Sequence, residues 1–393
     1  MTETTYDFDI PLNRIGSGCI RYDGMMEHYG RSDLQPHWIA DMDFAVCPAI
    51  IDALKQRLEH PVLGYPTVDP GYIQAIIDWE KRRHGLDINP EELTFIPGVV
   101  KGMAFAINFF TSPGDKIVIQ PPVYPPFRNK VTANNRIVVE NPLILTDGTY
   151  HMDFDHLEKV LAEQHPAMMI LCNPHNPAGR QWDADTLRRL ASLCKQYGVL
   201  VLSDEIHGDL MLRGIKHIPF ASVSDEAAEI SVTMGAPSKT FNIPGMVSSW
   251  YMCKNPAIRN KFFSWLDGNE FNAPTLMAMV ATKAAYNHGE AWLESLLAYL
   301  QGTVEAVEAF CAANIPAIRP IRPDASFLIW LDCRDLALTQ PQLVSLFTDR
   351  AGLALNDGCA FGSQGSGFMR FNIASPRSVI LNALQKLSNA INS

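Results

Sequence analysis

The sequence predicts an α/β protein with a large domain on a mainly parallel central sheet flanked by helices, followed by a smaller α/β domain. Three observations carry this expectation. The chain has 393 residues, more than one ordinary core of about 100–200 residues holds. From about residue 46 to 285, amphipathic helical stretches alternate with short apolar runs, the pattern of βαβ units. Residues 286–393 open with a long helical stretch and then repeat strand, helix and strand on a smaller scale. The expected organisation is an N-terminal segment (1–45) packing on the smaller domain, a large domain (46–285) and a small C-terminal domain (286–393).

PAIIDALKQRLEH (48–60) reads as an amphipathic helix with proline near its start, and GYIQAIIDWEKRRHG (71–85) as another closed by glycine. FIPGVVKGMAFAINFF (95–110) is a strand end, a glycine and an apolar helix. The runs DKIVIQ (115–120), RIVVE (136–140), AMMILCN (167–173) and GVLVLSDE (198–205) are strand-like, rich in β-branched or large apolar residues. DADTLRRLASLCKQYG (183–198) is a helix long enough for a right-handed crossover between the last two. EAWLESLLAYLQGTVEAVEAFCAAN (290–314) reads as one long helix, followed by SFLIWLDC, a helix around LTQPQLVSLFTDRAG, and FMRFNIA. The first forty-odd residues read as irregular.

Hydrophobic residues make up 47% and charged residues 19% of the chain, a globular composition with no apolar run of membrane-spanning length. Forty-two acids against thirty-two bases give a net charge of −10. No basic block interleaves with aromatics, so neither nucleic acid nor an anionic membrane is an expected partner. MTETTYDFDIP lacks the basic and apolar regions of a secretory leader, and the expected location is the cytoplasm. Eight scattered cysteines form no CxxC pair, which points to reduced core thiols and to neither a metal site nor a disulfide framework.

GAPSKTFNIPG (235–245) raises the chemical question, because Lys239 stands just after the β-branched stretch EISVTM. A P-loop places glycine directly before its lysine so that backbone N–H groups can wrap a phosphate; here that residue is Ser238, and the pattern fails. Two readings stay open: a lysine bonded to an aldehyde cofactor with its pKa lowered by its pocket, and an ordinary ammonium in water.

Ligands of open α/β sheets lie beyond the carboxyl ends of the strands. There, SDEIH puts Asp204 and His207; the carboxylate can hold a cationic ring nitrogen or simply cap a helix. NPHNPAGR makes a rigid turn that can project the Asn176 amide toward a phenolate oxygen, or be only a turn. The N–H groups of Gly98, Val99 and Val100, where a helix begins, suit a phosphate. QPPVYPPF pins Tyr124 between prolines as a plate for stacking on a flat ring. GSGFMRFNIASPR carries Arg370, able to clamp a carboxylate or to form a surface ion pair. Each feature has an ordinary explanation; together they are what pyridoxal phosphate and an amino acid require.

With those residues placed, the chain resembles the fold-type I pyridoxal-phosphate enzymes of the aminotransferase class I/II superfamily, and within it the bacterial cysteine-S-conjugate (cystathionine) β-lyases. NRIGSGCIRYD (13–23), WIADMDFAVCP (38–48), NPHNPAGR, SDEIH and APSKTFN carry the resemblance. It implies that the large domain binds pyridoxal 5'-phosphate, with Lys239 as its covalent anchor, Asp204 on the ring nitrogen, Asn176 on the ring hydroxyl and Tyr124 stacked on the ring. Val99, Val100 and Ser238 would hold the phosphate, with His207 beside the cofactor where the broader pattern often has tyrosine. Arg370 would bind the substrate carboxylate, and Tyr65 would reach the cofactor of a second copy in a homodimer. Ala236 and Val247 also depart from the broader pattern, Val247 standing where many members have a phosphate-binding arginine. The implied reaction is α,β-elimination of a cysteine S-conjugate to a thiol, pyruvate and ammonia. The alternatives are an aminotransferase with the same cofactor and a non-catalytic regulatory protein on the same fold.

Overall fold

The computed structural model describes residues 6–392. Residues 1–5, at the head of the stretch read as lacking a secretory leader, and residue 393 lie outside the described residues.

Before the main sheet come helices α1 (Pro48–Leu58) and α2 (Pro70–His84). Both start with proline at a position whose N–H would have no helical partner. In α2 the Asp69 carboxylate accepts from Gly71 N, and Gly85 closes the other end in the left-handed conformation. The sheet strands are β1 (Leu93–Ile96), β2 (Lys116–Ile119), β3 (Ile137–Glu140), β4 (Met168–Cys172), β5 (Leu200–Asp204), β6 (Ser231–Gly235) and β7 (Ser249–Met252). Their spatial order is β1-β7-β6-β5-β4-β2-β3. Strands β6, β5, β4, β2 and β3 pair in parallel, and β7 is antiparallel to both of its neighbours.

Helices cover both faces, as a parallel sheet requires. They include α3 (Val99–Phe110) and α4 (Ala184–Gln196), the latter capped by Asp183 accepting from Thr186 N. Every residue of β4 and β6 is buried, which explains why these strands read as unbroken apolar or β-branched runs. At the end of β6, a Cβ on Gly235 would stand 2.1 Å from the Trp250 ring, so this close approach of β6 to β7 admits only glycine.

After α5 (Leu276–His288), the 25-residue helix α6 (Glu290–Asn314) leads to a four-stranded antiparallel sheet of β8 (Arg319–Ile321), β9 (Leu328–Asp332), β10 (Asn356–Asp357) and β11 (Phe368–Asn372), closed by helix α7 (Arg377–Asn392). The N-terminal region, expected to be irregular, contains short helices at Ile20–Asp23 and Met25–Tyr29. Gln35–Pro36 pairs in parallel with Leu353–Ala354. Among the described residues, no helix is long and apolar enough to cross a membrane, and all eight cysteines are free.

Candidate active site

The carboxyl ends of β1, β2, β4, β5 and β6 deliver separate side chains to one cavity. Past β1, Gly98 adopts φ +100°, a conformation that suits glycine, and turns the chain directly into α3. No side chain caps that helix, so the N–H groups of Val99 and Val100, which line the cavity, open toward it with the positive end of the helix dipole. Past β2 comes Tyr124, partly buried on the wall. Past β4, the Asn-Pro turn sets Asn176 in the wall: its N–H donates to Cys172 Sγ at 3.3 Å, and its Oδ1 accepts from Arg370 Nη1 at 3.2 Å. With Oδ1 occupied, the amide's donor end is left for the cavity.

Asp204 is the last residue of β5 and is buried. Among the described residues its Oδ1 accepts only the Ile206 N–H, at 3.2 Å, so it makes a local turn and caps no helix. Burial pushes its carboxyl up to about 7, with the neighbouring Glu205 adding to the effect and Lys239 opposing it. His207, also buried, lines the cavity with Nδ1 unpartnered among the described residues; burial, then the charges of Lys239 and Arg370, lower it to about 3 and keep it neutral.

Past β6, a one-turn helix (Pro237–Thr240) carries Ser238 and Lys239 into the same cavity. Burial lowers the Lys239 amine to about 8, with Arg370 lowering it further while Asp41 and Asp204 act against them. Its Nζ donates to the Ala40 carbonyl at 2.5 Å. Arg370, on β11, is not itself in the cavity wall. It reaches the wall through Asn176 and also donates to the carbonyl of Trp38 at 2.9 Å and to Asn356 Oδ1 at 2.6 Å. Burial lowers its guanidinium to about 10, and its buried Nε has no partner among the described residues.

The structure thus brings together Val99, Val100, Tyr124, Asn176, Asp204, His207, Ser238 and Lys239, with Arg370 one hydrogen bond away. Tyr65 does not join them. It is fully exposed (106% relative exposure) on a segment outside helix and strand and borders a different depression, with Pro66 and Phe95. Val247, noted in the sequence as standing where many members have a phosphate-binding arginine, lines the cavity, and sequence reasoning missed the wall formed by Ala40 and by Ser248 and Ser249 beside it. Ala40 contributes a backbone carbonyl, which leaves no side-chain signature; the serines surround the start of β7, a strand not recognised in the sequence.

The aminotransferase class I and II family pattern matches residues 39–387. Cystathionine beta-lyase PatB of Bacillus subtilis (strain 168) is 42% identical over 385 residues, spanning 98% of this chain and all of that protein. Protein MalY of Escherichia coli (strain K12) is 33% identical over 98% of this chain and 99% of its own length. The crystal structure of cystalysin from Treponema denticola, which contains a pyridoxal 5'-phosphate cofactor, superposes with a TM-score of 0.95 at 32% identity, covering 99% of each chain. The protein is therefore a member of the aminotransferase class I and II family.

Proposed function

We propose that this protein is a pyridoxal-phosphate-dependent carbon–sulfur β-lyase that cleaves cystathionine or related cysteine S-conjugates, with one water, to a thiol, pyruvate and ammonia. The observation that carries the reading is the convergence of the Lys239 amine, the Asp204 carboxylate and the Asn176 amide on a single cavity that ends at the uncapped start of α3. Full-length likeness to a cystathionine beta-lyase adds the reaction class.

The residues present fit the cofactor. Among the described residues a buried carboxylate with one hydrogen bond makes no ion pair, a buried imidazole nitrogen lacks a partner, and a helix start has no side-chain cap. Val99 and Val100 N–H with the Ser238 hydroxyl would hold the phosphate, Asn176 Nδ2 would donate to the ring oxygen, and Tyr124 would cover the ring face. His207 stands beside them as a neutral imidazole. Asp204 would hold a proton on the ring nitrogen; a cation there lowers the carboxyl from the raised value that burial alone imposes.

When bound, pyridoxal phosphate supplies an electron sink for the pair left on a substrate's Cα. The Lys239 amine, brought by burial close to neutral pH, takes the proton from Cα. The Arg370 guanidinium binds the substrate carboxylate and orients the Cα–H bond. It is held for this by Trp38 and Asn356 and has Nε unused.

Two further parts of the proposal concern the whole chain. Residues 46–285 and 286–393 act as a large and a small domain, with the described part of residues 1–45 packed on the latter. Tyr65 belongs to the site of a second copy in a homodimer that works in the cytoplasm; its full exposure, and that of Val62, Leu63 and Val68 at half or more, supports this reading. Incubation with cystathionine tests the chemistry: the lyase releases pyruvate and thiol without any keto-acid acceptor. A strict requirement for an acceptor would instead assign the protein to the transaminases.

A further inference from the structure

Residues 37–44 run as a strap beside the site, with Ala40 in the cavity wall. On one side the strap is tied to β11 and the chain after it: Arg370 donates to the Trp38 carbonyl, Asn372 Nδ2 donates to the carbonyls of Ile39 and Asp41, and Asp43 N donates to Ala374 O at 2.8 Å. On the other side two side chains of one loop hold it, Lys239 at Ala40 and Asn242 at Met42 and Phe44, while Arg14 and Arg21 of the N-terminal chain donate to the carbonyls of Met42 (3.1 Å) and Asp41 (2.9 Å). We propose that Asn242 is a positioning residue for Lys239, joining the strap to the lysine's own loop and keeping the Ala40 carbonyl where the lysine ammonium docks.

Asn242 lies three residues beyond Lys239 in the left-handed conformation (φ 56°), which asparagine tolerates better than most residues. This aims its amide back at the strap and uses both ends of it. Oδ1 accepts from Met42 N at 2.9 Å, while Nδ2 donates to the carbonyls of Met42 and Phe44, each at 3.0 Å. Ala40 is two residues from that clamp. Its carbonyl accepts from Lys239 Nζ and so favours the protonated amine, in a cavity whose burial favours the neutral one. Once Lys239 carries a proton taken from substrate, this carbonyl is the acceptor that holds it. Trp38, the partner of Arg370, is secured from β11 and does not depend on the clamp.

Asn242→Gly deletes all three bonds while suiting the left-handed backbone. In the full-length, coenzyme-free protein, acetylation of Lys239 by N-acetoxysuccinimide, read by peptide mass spectrometry, is expected to be about tenfold faster than wild type at pH 6, the equivalent of one pKa unit, and equal to wild type at pH 10, where the amine is free in both. Supplied with coenzyme and cystathionine, the variant should lose about tenfold in kcat and keep KM within about twofold, because Arg370 is undisturbed. Wild-type labelling at pH 6, faster labelling at both pH values, or an unchanged kcat overturns the proposal. If Asn242→Gly does not fold, Asn242→Ser, whose hydroxyl is too short to span both Met42 groups, carries the same expectations. The kinetic arm rests on the proposed lyase reaction, but the labelling needs neither coenzyme nor substrate. Absent cystathionine cleavage with altered labelling sinks the reaction and spares Asn242; the converse result does the opposite.

Discussion

Lys239 sits where a lysine is costly. Its folded-state value, about 8, lies below the ordinary 10.5 because burial disfavours the ammonium. Between those two values the unfolded chain binds more protons than the folded one, so stability rises with pH across that window, and the full penalty applies below it. Lys239→Met should therefore stabilise the coenzyme-free protein by about 2–3 kcal/mol at pH 7. The gain should shrink toward zero between pH 8 and pH 10.5, as measured by urea unfolding at several pH values. A variant no more stable than wild type at pH 7 would mean that the ammonium is not desolvated. Asp204, raised to about 7 by burial, shows the same sacrifice with the opposite sign: its contribution falls as pH rises from its ordinary 3.8 toward 7. At this scale the sequence was informative where a side chain does the work. Lys239, Asp204 and Asn176 follow strand-like runs, and strand ends are where ligands bind. Ala40 acts through its carbonyl and Arg370 arrives from another sheet, so neither the carbonyl nor the pairing of Arg370 with Asn176 could be read from local pattern.

Among the elements, long periodic helices and fully apolar strands were legible. Helix α6 occupies the expected 290–314, and β4 and β5 fall within the predicted 167–173 and 198–205. Strand β7 escaped notice. Ser-Trp-Tyr-Met is only four residues long, and it runs antiparallel between β1 and β6 with no crossover helix to announce it. Nor did sequence reveal the buttress behind the lysine turn. Asp209, buried, accepts from Trp79 Nε1 (2.9 Å) and Thr240 Oγ1 (2.8 Å) and pairs with His84 Nε2 (2.9 Å). One carboxylate thereby fixes the residue next to Lys239 to helix α2, which lies 125 or more positions away in sequence. Burial works against the charged carboxylate, but its hydrogen bond to His84 and that residue's charge hold it below the usual range. Such a network is set by tertiary packing; a single sequence shows only an aspartate, a histidine and a threonine.

Over the whole molecule, the mainly parallel sheet was predictable because βαβ alternation leaves few topologies. The contacts that hold residues 37–44 were not, since they are scattered polar contacts that carry no periodicity. Arg14 and the fully buried Arg21, for example, meet Asp41 and Asp43 at 2.6–3.6 Å. The exposed apolar segment around Tyr65 calls for a cover. Sedimentation equilibrium should give twice the 43.7 kDa chain mass, whereas a monomer at micromolar concentration would remove the role proposed for Tyr65. The central claim, that this cavity carries pyridoxal phosphate on one particular amine, is tested most directly by borohydride reduction of the coenzyme-treated protein followed by peptide mass mapping. The account predicts the reduced pyridoxyl phosphate adduct on the peptide containing Lys239. Recovery of that peptide unmodified, with the coenzyme unbound or fixed to another lysine, would contradict it.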